Sequence, residues 1–430
     1  MLKSTIYWIM VVIALFIPDI IIAQNAPKRD SELDSLIERA MINNPGIQGA
    51  DYAYRAKNYK SKYAGALPDP VLSIAASNLP RSSLALDETP MTGIAIGITQ
   101  KIPWFSKLGN LSSIANLDAE KAGFNKELIA NETEMKIKQV YYNYSYWKLA
   151  DSILDRYTDL TEALVEVAQT RYANGDGLAQ DVLNAQTSLV KLEDREREAV
   201  RMTKSALSDL RRLTGIPEEI DDLKGDLPGV LRQPIAIDPL IALAMENNPL
   251  IKSAESNIAI SEKRESLAKA EYMPDIFLGF EYRIREEVAM DALPGEDFVS
   301  AKVGFSIPLW FGFKQNHKVD EASAMRSTSE SERYSIELFI KNEIENTLLE
   351  IDRKAESIKL YEDSIIPLAK AALESSDIAY RVGKTDFLNR IMAQTRLMEF
   401  ELERLKLLME YNSALADIDE LTGAKMEAIQ

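Results

Sequence analysis

The chain has 430 residues and a formal net charge of −17, with no cysteine and a single histidine, His317. The lack of cysteine excludes disulfides, thiolate catalysis and cysteine-bound zinc, and one histidine cannot build a histidine-rich metal site. The acidic balance disfavours nucleic acid as a partner, because neutralising phosphates requires a basic surface. Paired acids such as Glu132 and Glu134 lie on charged helical stretches with no neighbouring nucleophile. We therefore expect no catalytic residue, no cofactor and no metal, and hence no enzyme.

The first 23 residues have the pattern of a signal peptide. Lys3 precedes an apolar run from Ile6 to Ile17, and Ala23 can end the segment. The run is shorter than the roughly 20 apolar residues that cross a membrane as a helix. We expect residues 1–23 to be removed on export, and an uncleaved inner-membrane anchor is the alternative.

The first half of the mature chain, residues 24–215, starts with two helical stretches at about 31–43 and 46–67. Asn43-Asn44-Pro45 separates them, because proline disfavours a helical conformation at the residue before it. The hydrophobic period then changes to two, with Ile94, Ile96 and Ile98 alternating with small or polar residues. This alternation predicts strands at about 70–78 and 92–101.

A helical hairpin follows at about 107–213. Its tip is Asn174-Gly175-Asp176-Gly177, a sequence that tolerates positive φ and ends helices. We interpret Asp176 as a turn residue and not as a calcium ligand, because the segment lacks the spaced ligands of a calcium-binding loop. On both arms apolar residues recur every three or four positions, which predicts a coiled-coil packing stripe. On the first arm the predicted stripe is Ile153, Tyr157, Leu160, Leu164 and Val167.

The whole unit occurs twice. Ala185-Gln186-Thr187 recurs as Ala393-Gln394-Thr395, at an offset of 208 residues (393 − 185). Leu213-Thr214-Gly215 likewise recurs as Leu421-Thr422-Gly423, and the Asn-Asn-Pro motif recurs at Asn247. Long internal repeats determine the architecture of a chain. We predict a linker at 216–239, a second repeat at 240–423 and a tail at 424–430.

The second repeat contains the same elements in the same order. Its predicted strands are at about 275–285 and 298–307, and its hairpin is at about 312–421. Pro367 lies inside the first arm of this hairpin and should kink the helix.

All four strands have one apolar and one polar face, which is typical of transmembrane β-strands with lipid outside and water inside. Aromatic residues at the ends of the strands are candidates for an interfacial girdle: Trp104, Phe105, Trp310 and Phe311. The edge of a soluble sandwich is the alternative. Four strands cannot close a barrel, so a membrane sheet needs neighbouring chains. Two chains would give eight strands and three would give twelve. Small residues on the polar face favour the wider lumen of a trimer.

These features together resemble the TolC-like outer membrane efflux proteins over essentially the whole mature length. The resemblance rests on the two repeats, the Asn-Asn-Pro motifs, the strand pairs, the exits at Ile102-Pro103 and Ile307-Pro308, and two Tyr-x-x-Gly tips. It implies a mainly α fold: a trimer with a twelve-stranded outer membrane barrel, a long coiled-coil helical barrel in the periplasm, and a mixed α/β equatorial belt. The segment from Ala66 to Pro70 is most similar to the branch paired with metal-cation efflux pumps.

The resemblance also implies that the hairpin tips close the duct and that acids just inside them ring the aperture. Asp181 matches such an acid, whereas the equivalent position of the second tip is Asn389, and another position that is acidic in some members aligns with Met392. The tip and gate candidates are Arg171, Tyr172, Gly175, Asp181, Tyr380, Arg381, Gly383, Asp386 and Asn389. We hypothesise that Arg171 and Arg381 hold the closed tip through acids such as Asp181 or Asp386. The alternative is that both are surface arginines without a gating role.

The function that the resemblance implies is a passive exit duct of a tripartite efflux system. Its expected partners are two further copies of the chain, outer membrane lipid, a periplasmic adaptor protein and an inner-membrane transporter of the RND type. A type I protein secretion duct and a soluble periplasmic coiled-coil scaffold are the alternatives. The cargo stays open among metal cations, small organic molecules and proteins.

Overall fold

The computed structural model describes residues 31–216, 220, 223–231, 235–288 and 295–424. The predicted signal peptide, parts of the predicted linker and the tail after residue 424 lie outside these residues. The described chain is mainly helical with one small antiparallel sheet, which confirms the predicted fold class. The elements are α1 Ser31–Asn43, α2 Pro45–Tyr63, β1 Val71–Ser77, β2 Gly93–Ile102, α3 Phe105–Ala173, α4 Ala179–Thr214, α5 Ile237–Asn247, α6 Pro249–Ala270, β3 Ile276–Ile284, β4 Phe298–Phe305, α7 Gln315–Leu360, α8 Ile366–Arg381 and α9 Phe387–Thr422.

The long helices form two hairpins, α3 with α4 and α7–α8 with α9, which pack side by side through α3 and α9. Helix α3 has 69 residues, which at 1.5 Å per residue is about 100 Å. Helices α2 and α6 pack along its part nearest the sheet. The side of α3 that is buried therefore changes along its length, because different helices cover different parts of it.

The two repeated motifs found in the sequence bind each other in the structure. The Asn44 side chain caps α2 by accepting hydrogen bonds from the backbone N–H groups of Gly46 (2.7 Å) and Ile47 (3.2 Å). Its amide nitrogen donates to the carbonyl of Leu213, at the end of the return arm, over 2.6 Å. In the second repeat Asn248 donates in the same way to the carbonyl of Leu421 over 2.8 Å. Each Asn-Asn-Pro motif therefore fastens a Leu-Thr-Gly motif about 170 residues away.

Pro367 distorts the helix, but the distortion lies before it. A π-helical turn at Tyr361–Ile365 joins α7 to α8, and Pro367 occupies the second position of α8. Proline has no N–H to donate and its ring crowds the preceding turn, and a wider turn accommodates both constraints. The chain stays helical from Gln315 to Arg381.

The packing stripe of the first arm is displaced by a single residue from the predicted one at three positions, the first being Leu154, which is buried where Ile153 is half-buried. Tyr157 and Leu164 are buried as predicted, but Leu160 and Val167 are exposed. The buried residues at those levels are Thr161 and Ala168. The Thr161 hydroxyl accepts a hydrogen bond from the Gln394 side chain of α9 over 2.9 Å. A polar pair between the two hairpins thus replaces the leucine that a hydrophobic period alone selects.

The largest hydrophobic core lies midway along α3 and α7 and at the ends of the return arms α4 and α9, where α1 and α5 cover them. Tyr141, Tyr142 and Tyr144 are buried in or beside this core. Residues 223–231 of the linker lie against it as an extended segment held by side chains. The Tyr411 hydroxyl accepts from the Leu231 N–H over 3.1 Å, and Asn412 donates to the Pro228 carbonyl over 2.8 Å. The resemblance implies a mixed α/β equatorial belt around this core. Among the described residues, this region consists of helices and the extended linker segment, without a strand.

The sheet has the order β1-β2-β3-β4, and every neighbouring pair is antiparallel. One row across the four strands is Ser73, Gly97, Glu281 and Ser300. Strands β1 and β4 are the two edges, so each pairs on one side only within the described chain. Among the described residues, no helix is both long and apolar enough to cross a membrane.

Candidate functional site

The tips of the two hairpins have the same backbone turn. At the first tip the N–H of Asp176 donates to the carbonyl of Arg171 over 2.9 Å, and that of Gly175 donates to Tyr172 over 3.0 Å. At the second tip Lys384 donates to Ala379 over 2.8 Å, and Gly383 donates to Tyr380 over 3.1 Å. Gly175 and Gly383 have φ of 81° and 71°, a left-handed conformation that glycine adopts without strain. Both turns are therefore Schellman caps, which end a helix sharply.

The side chains around these identical turns differ. The Tyr380 side chain is buried, with 8% of its surface exposed, whereas Tyr172 at the equivalent position is 54% exposed. The Tyr380 ring lies edge-on to Phe387 with centroids 5.7 Å apart, and the Arg171 guanidinium lies 4.9 Å from the Tyr380 ring centre. A small core joins the ends of all four arms: Leu164, Ala168, Ala185, Tyr380, Phe387 and Ile391. Tyr380 is therefore the side chain that locks one hairpin onto the other.

An ion cluster supports the second tip. The Asp377 carboxylate pairs with the Arg381 guanidinium over 2.8 Å and with the Arg390 guanidinium over 3.2 Å. The Arg390 side chain is largely buried, while that of Arg381 is exposed. Because Asp377 lies on α8 and Arg390 on α9, the second pair ties the two arms of the hairpin together.

The hypothesis that Arg171 and Arg381 pair with Asp181 or Asp386 is wrong for contacts within the described chain. Arg381 pairs with Asp377, one helical turn before it. Arg171 contacts the Tyr380 ring and donates to the Asp176 carbonyl over 3.3 Å. Asp386 instead caps α9, where it accepts from the N–H of Asn389 over 2.9 Å. Its carboxylate is thereby committed to its own helix.

The remaining tip candidates lie at the starts of the return arms. Asp181 lies in the first turn of α4 and is half-buried. Asn389 is exposed in the first turn of α9, where its amide donates to the Thr385 hydroxyl over 3.3 Å. An acid near a helix N-terminus is stabilised by the exposed N–H groups there. The first tip therefore carries an acid at the position where the second carries an amide.

The four-stranded sheet presents an apolar face to solvent. Most of the large side chains on this face are exposed in the single chain, including Ile96, Leu278, Phe280 and Val303. The opposite face is polar: its row of Ser73, Gly97, Glu281 and Ser300 contains one large side chain. Since apolar area in contact with water is unfavourable by about 25 cal/mol per Å², such a face requires lipid or protein against it.

The predicted girdle residues lie just beyond the strands. Trp104 precedes α3, and its backbone N–H donates to the Asp275 carboxylate over 3.2 Å. Its ring lies 4.9 Å from that of Phe105. Phe105, Trp310 and Phe311 are exposed in the single chain. Their position at one end of the sheet agrees with an interfacial role, which stays a prediction.

Buried charges lie at the core end of the hairpins, far along the chain from the tips. The Lys138 ammonium contacts the carboxylates of Asp419 (2.7 Å) and Glu134 (3.0 Å). Burial acts to lower the pKa of Lys138, but these two carboxylates outweigh it and raise the pKa above its ordinary value. Burial likewise raises the pKa of Asp417, against the hydrogen bond it accepts from Gln139. This cluster binds α3 to α9 at the base of the hairpins.

Sequence reasoning missed Asp377, Arg390 and the contact between Gln394 and Thr161. The spacing of Asp377 and Arg381 by four residues on one helix was a visible signal for their pair. The other contacts join different helices, and the sequence offers no periodic signal for them.

The comparisons with known proteins agree with this architecture. Residues 240–424 match the outer membrane efflux protein family. A curated relative, protein CyaE of Bordetella pertussis, is 22% identical over 304 residues, which are 69% of this chain and 64% of that protein. The matched part therefore spans slightly less than two thirds of that relative's length.

Solved structures with the same fold cover nearly the whole chain. CusC superposes with a TM-score of 0.80 at 14% identity, covering 94% of this chain and 95% of CusC. The outer membrane protein VceC of Vibrio cholerae superposes with a TM-score of 0.77 at 16% identity, covering 93% of this chain and all of VceC. At such low identity these superpositions show the fold alone.

The residues matched to the family are the second repeat, and the first repeat has the same elements, the same Asn-Asn-Pro and Leu-Thr-Gly contact and the same tip turn. The second repeat therefore matches the outer membrane efflux protein family, and the described chain as a whole has the fold of CusC and VceC, which supports the resemblance to the TolC-like outer membrane efflux proteins.

Proposed function

We propose that three copies of this chain assemble into a passive duct that runs from the periplasm through the outer membrane. A periplasmic adaptor opens the duct, and an inner-membrane transporter, of the RND type, supplies the energy. The observation that carries this proposal is the sheet, whose apolar face is exposed and whose two edges each pair on one side only within the described chain.

Edge pairing between copies completes the sheet. Because β1 and β4 run in opposite directions, β4 of one copy can pair with β1 of the next and keep every neighbour antiparallel. A lipid-exposed sheet must close on itself, since an unpaired backbone group in hydrocarbon costs several kcal/mol. Three copies give twelve strands and a lumen wide enough for solutes.

The hairpins extend the lumen away from the membrane. The hairpins, whose first arm α3 is about 100 Å long, pack side by side in each copy and continue around a three-fold axis as a helical wall. The tips, where Tyr380 joins the two hairpins and the Asp377 cluster ties the arms of the second one, form the closed end at rest. A soluble scaffold would not expose an aliphatic and aromatic sheet face, which disfavours that alternative.

Disulfide trapping tests the assembly directly, because the chain has no cysteine of its own. A cysteine at Ser73 on β1 is combined with one at Ser300 or Lys302, which lie on the same face of β4, and the detergent-extracted protein is oxidised. We expect at least one combination to give cross-linked dimers and trimers on a denaturing gel and no larger species. The single-cysteine variants are the matched controls and should remain monomeric on that gel.

Planar-bilayer recording tests the duct. The purified protein should conduct, with conductance that rises when the tip is loosened by Tyr380→Ala. A protein that gives no ladder in any combination and no current in either form would refute the proposal.

A further inference from the structure

The charged residues of the four strands all lie on the polar face of the sheet. They are Lys101, Glu281, Arg283 and Lys302, and the apolar face of the described strands carries none. Lys101 lies at the helical end of the sheet, where the Asp275 carboxylate pairs with it over 3.1 Å. The other three side chains form a group in the middle of the sheet, which in the assembled duct is the wall of the lumen. We name this group the charged belt.

One carboxylate in the belt faces two cations. The Glu281 carboxylate contacts the Arg283 guanidinium over 3.0 Å and the Lys302 ammonium over 2.9 Å. Each copy therefore carries one excess positive charge in the belt. The Lys302 side chain is 68% exposed and the Glu281 side chain only 20%. Solvent in the lumen thus meets the ammonium group, while the carboxylate lies beneath its partners.

Small residues of β2 make space for this arrangement. A β-carbon at Gly93 would lie 3.1 Å from the Cγ of Arg283 and 2.4 Å from the Ile284 carbonyl oxygen. A β-carbon at Gly97 would lie 3.0 Å from the Ser73 hydroxyl, in the same row as Glu281. The long side chain of Arg283 therefore lies across the wall instead of leaving it. Acidic residues of the following loop, such as Glu286 and Glu287, come after the end of β3 and outside the wall.

We propose that the charged belt makes the outer membrane end of the lumen prefer anions, so that the duct passes small anionic solutes such as carboxylates and phosphates more readily than cations. This inference rests on the proposed function. Rings of Lys and Arg set anion preference in pores, and low-dielectric walls concentrate their field. With three copies the belt becomes a ring with an excess of three positive charges, although the chain as a whole is acidic.

The test is the reversal potential of the purified protein in a planar bilayer under a KCl gradient. We expect a chloride-to-potassium permeability ratio above one, and Lys302→Glu should lower it by about tenfold, the low end of the concentrating effect of such fields. The double variant Glu281→Lys with Lys302→Glu keeps the net charge of the belt and should retain the preference for chloride. Each measurement is repeated with Tyr380→Ala, so that a narrow tip does not control the current.

Chemical modification of a single cysteine variant changes the charge of the belt after the protein has folded, so the test does not depend on the folding of each charge variant. In Lys302→Cys, a positively charged thiosulfonate should restore the chloride preference and a negatively charged one should reverse it, within the same membrane. Glu281→Gln should increase the preference. If the unmodified duct prefers potassium and these changes leave the chloride-to-potassium permeability ratio unaltered, the inference about the charged belt is wrong. The proposed function as a duct is then unaffected. If no preparation conducts, the proposed function itself fails.

Discussion

The two hairpin tips have one backbone and two different sets of side-chain contacts. Both turns are Schellman caps with glycine at the same repeat position. The second tip is held by a buried tyrosine, an ion cluster and a side-chain cap, whereas Tyr172 is exposed and the residue before α4 is Leu178, without a side-chain cap. Within one copy the second tip is therefore the more firmly held, and gating should depend more strongly on its side chains.

The largest expected effect comes from Tyr380→Ala. This change removes a buried ring, its contact with Phe387 and its contact with Arg171, and large-to-small aromatic changes in cores cost about 3–5 kcal/mol. We expect amide hydrogen exchange at residues 377–391 to become at least about a hundredfold faster, and the closed-state conductance to rise.

Tyr172→Ala is the matched control, because it removes the same ring at the equivalent position of the first repeat. We expect little change in exchange or conductance. An effect equal to that of Tyr380→Ala would show that a neighbouring copy buries Tyr172 in the assembly, and the contrast between the tips would then disappear.

The second largest effect should come from Asp377→Asn. Arg390 is largely buried and would lose its charged partner, and leaving a buried charge unpaired costs more than breaking a surface pair. We expect about tenfold faster exchange at the start of α9. Glu374→Gln, an exposed acid on the same helix, is the control and should change nothing. Equal exchange rates in the two variants would show that the ion cluster does not stabilise the second tip.

Exchanging the caps sharpens the comparison further. Asp386→Ala deletes the cap of α9, and Leu178→Asp supplies one to α4 at the equivalent position; each change is worth about 1 kcal/mol. Asp386→Ala should destabilise the tip of the second hairpin. Leu178→Asp should stabilise the tip of the first hairpin. Exchange rates at residues 179–182 and 387–390 measure both. Changes in the same direction would contradict the assignment of Asp386 as a helix cap.

The smallest effect is expected for Arg381→Ala. Its side chain is exposed and its ion pair is screened by water, so the pair contributes little. Arg171→Ala should cost somewhat more, because the guanidinium lies over a buried ring. Closed-state conductance compares the two variants. A larger rise for Arg381→Ala would mean that this arginine has a partner on a neighbouring copy.

The sequence by itself determined the features that depend on local conformation or on period. The turns at Gly175 and Gly383 follow from glycine, the strands follow from strict alternation, and the two repeats follow from landmarks such as Leu213-Thr214-Gly215. Each of these is encoded within a few consecutive residues, so it can be recognised without knowing what packs against it. The resemblance to the TolC-like outer membrane efflux proteins rests on the order of these local features, and for this reason it could be recognised from the sequence.

Only the tertiary structure decided which of two equivalent side chains is buried and what each charge contacts. Thr161 replaces Leu160 in the packing stripe because Gln394, from the other hairpin, offers it a hydrogen bond. Tyr380 is buried and Tyr172 is not because only the former has Phe387 and Arg171 beside it. Glu281, Arg283 and Lys302 meet because the register of β3 with β4 places them together. Burial and ion pairing depend on neighbours distant in the chain, and their arrangement is set by the packing of whole helices and strands.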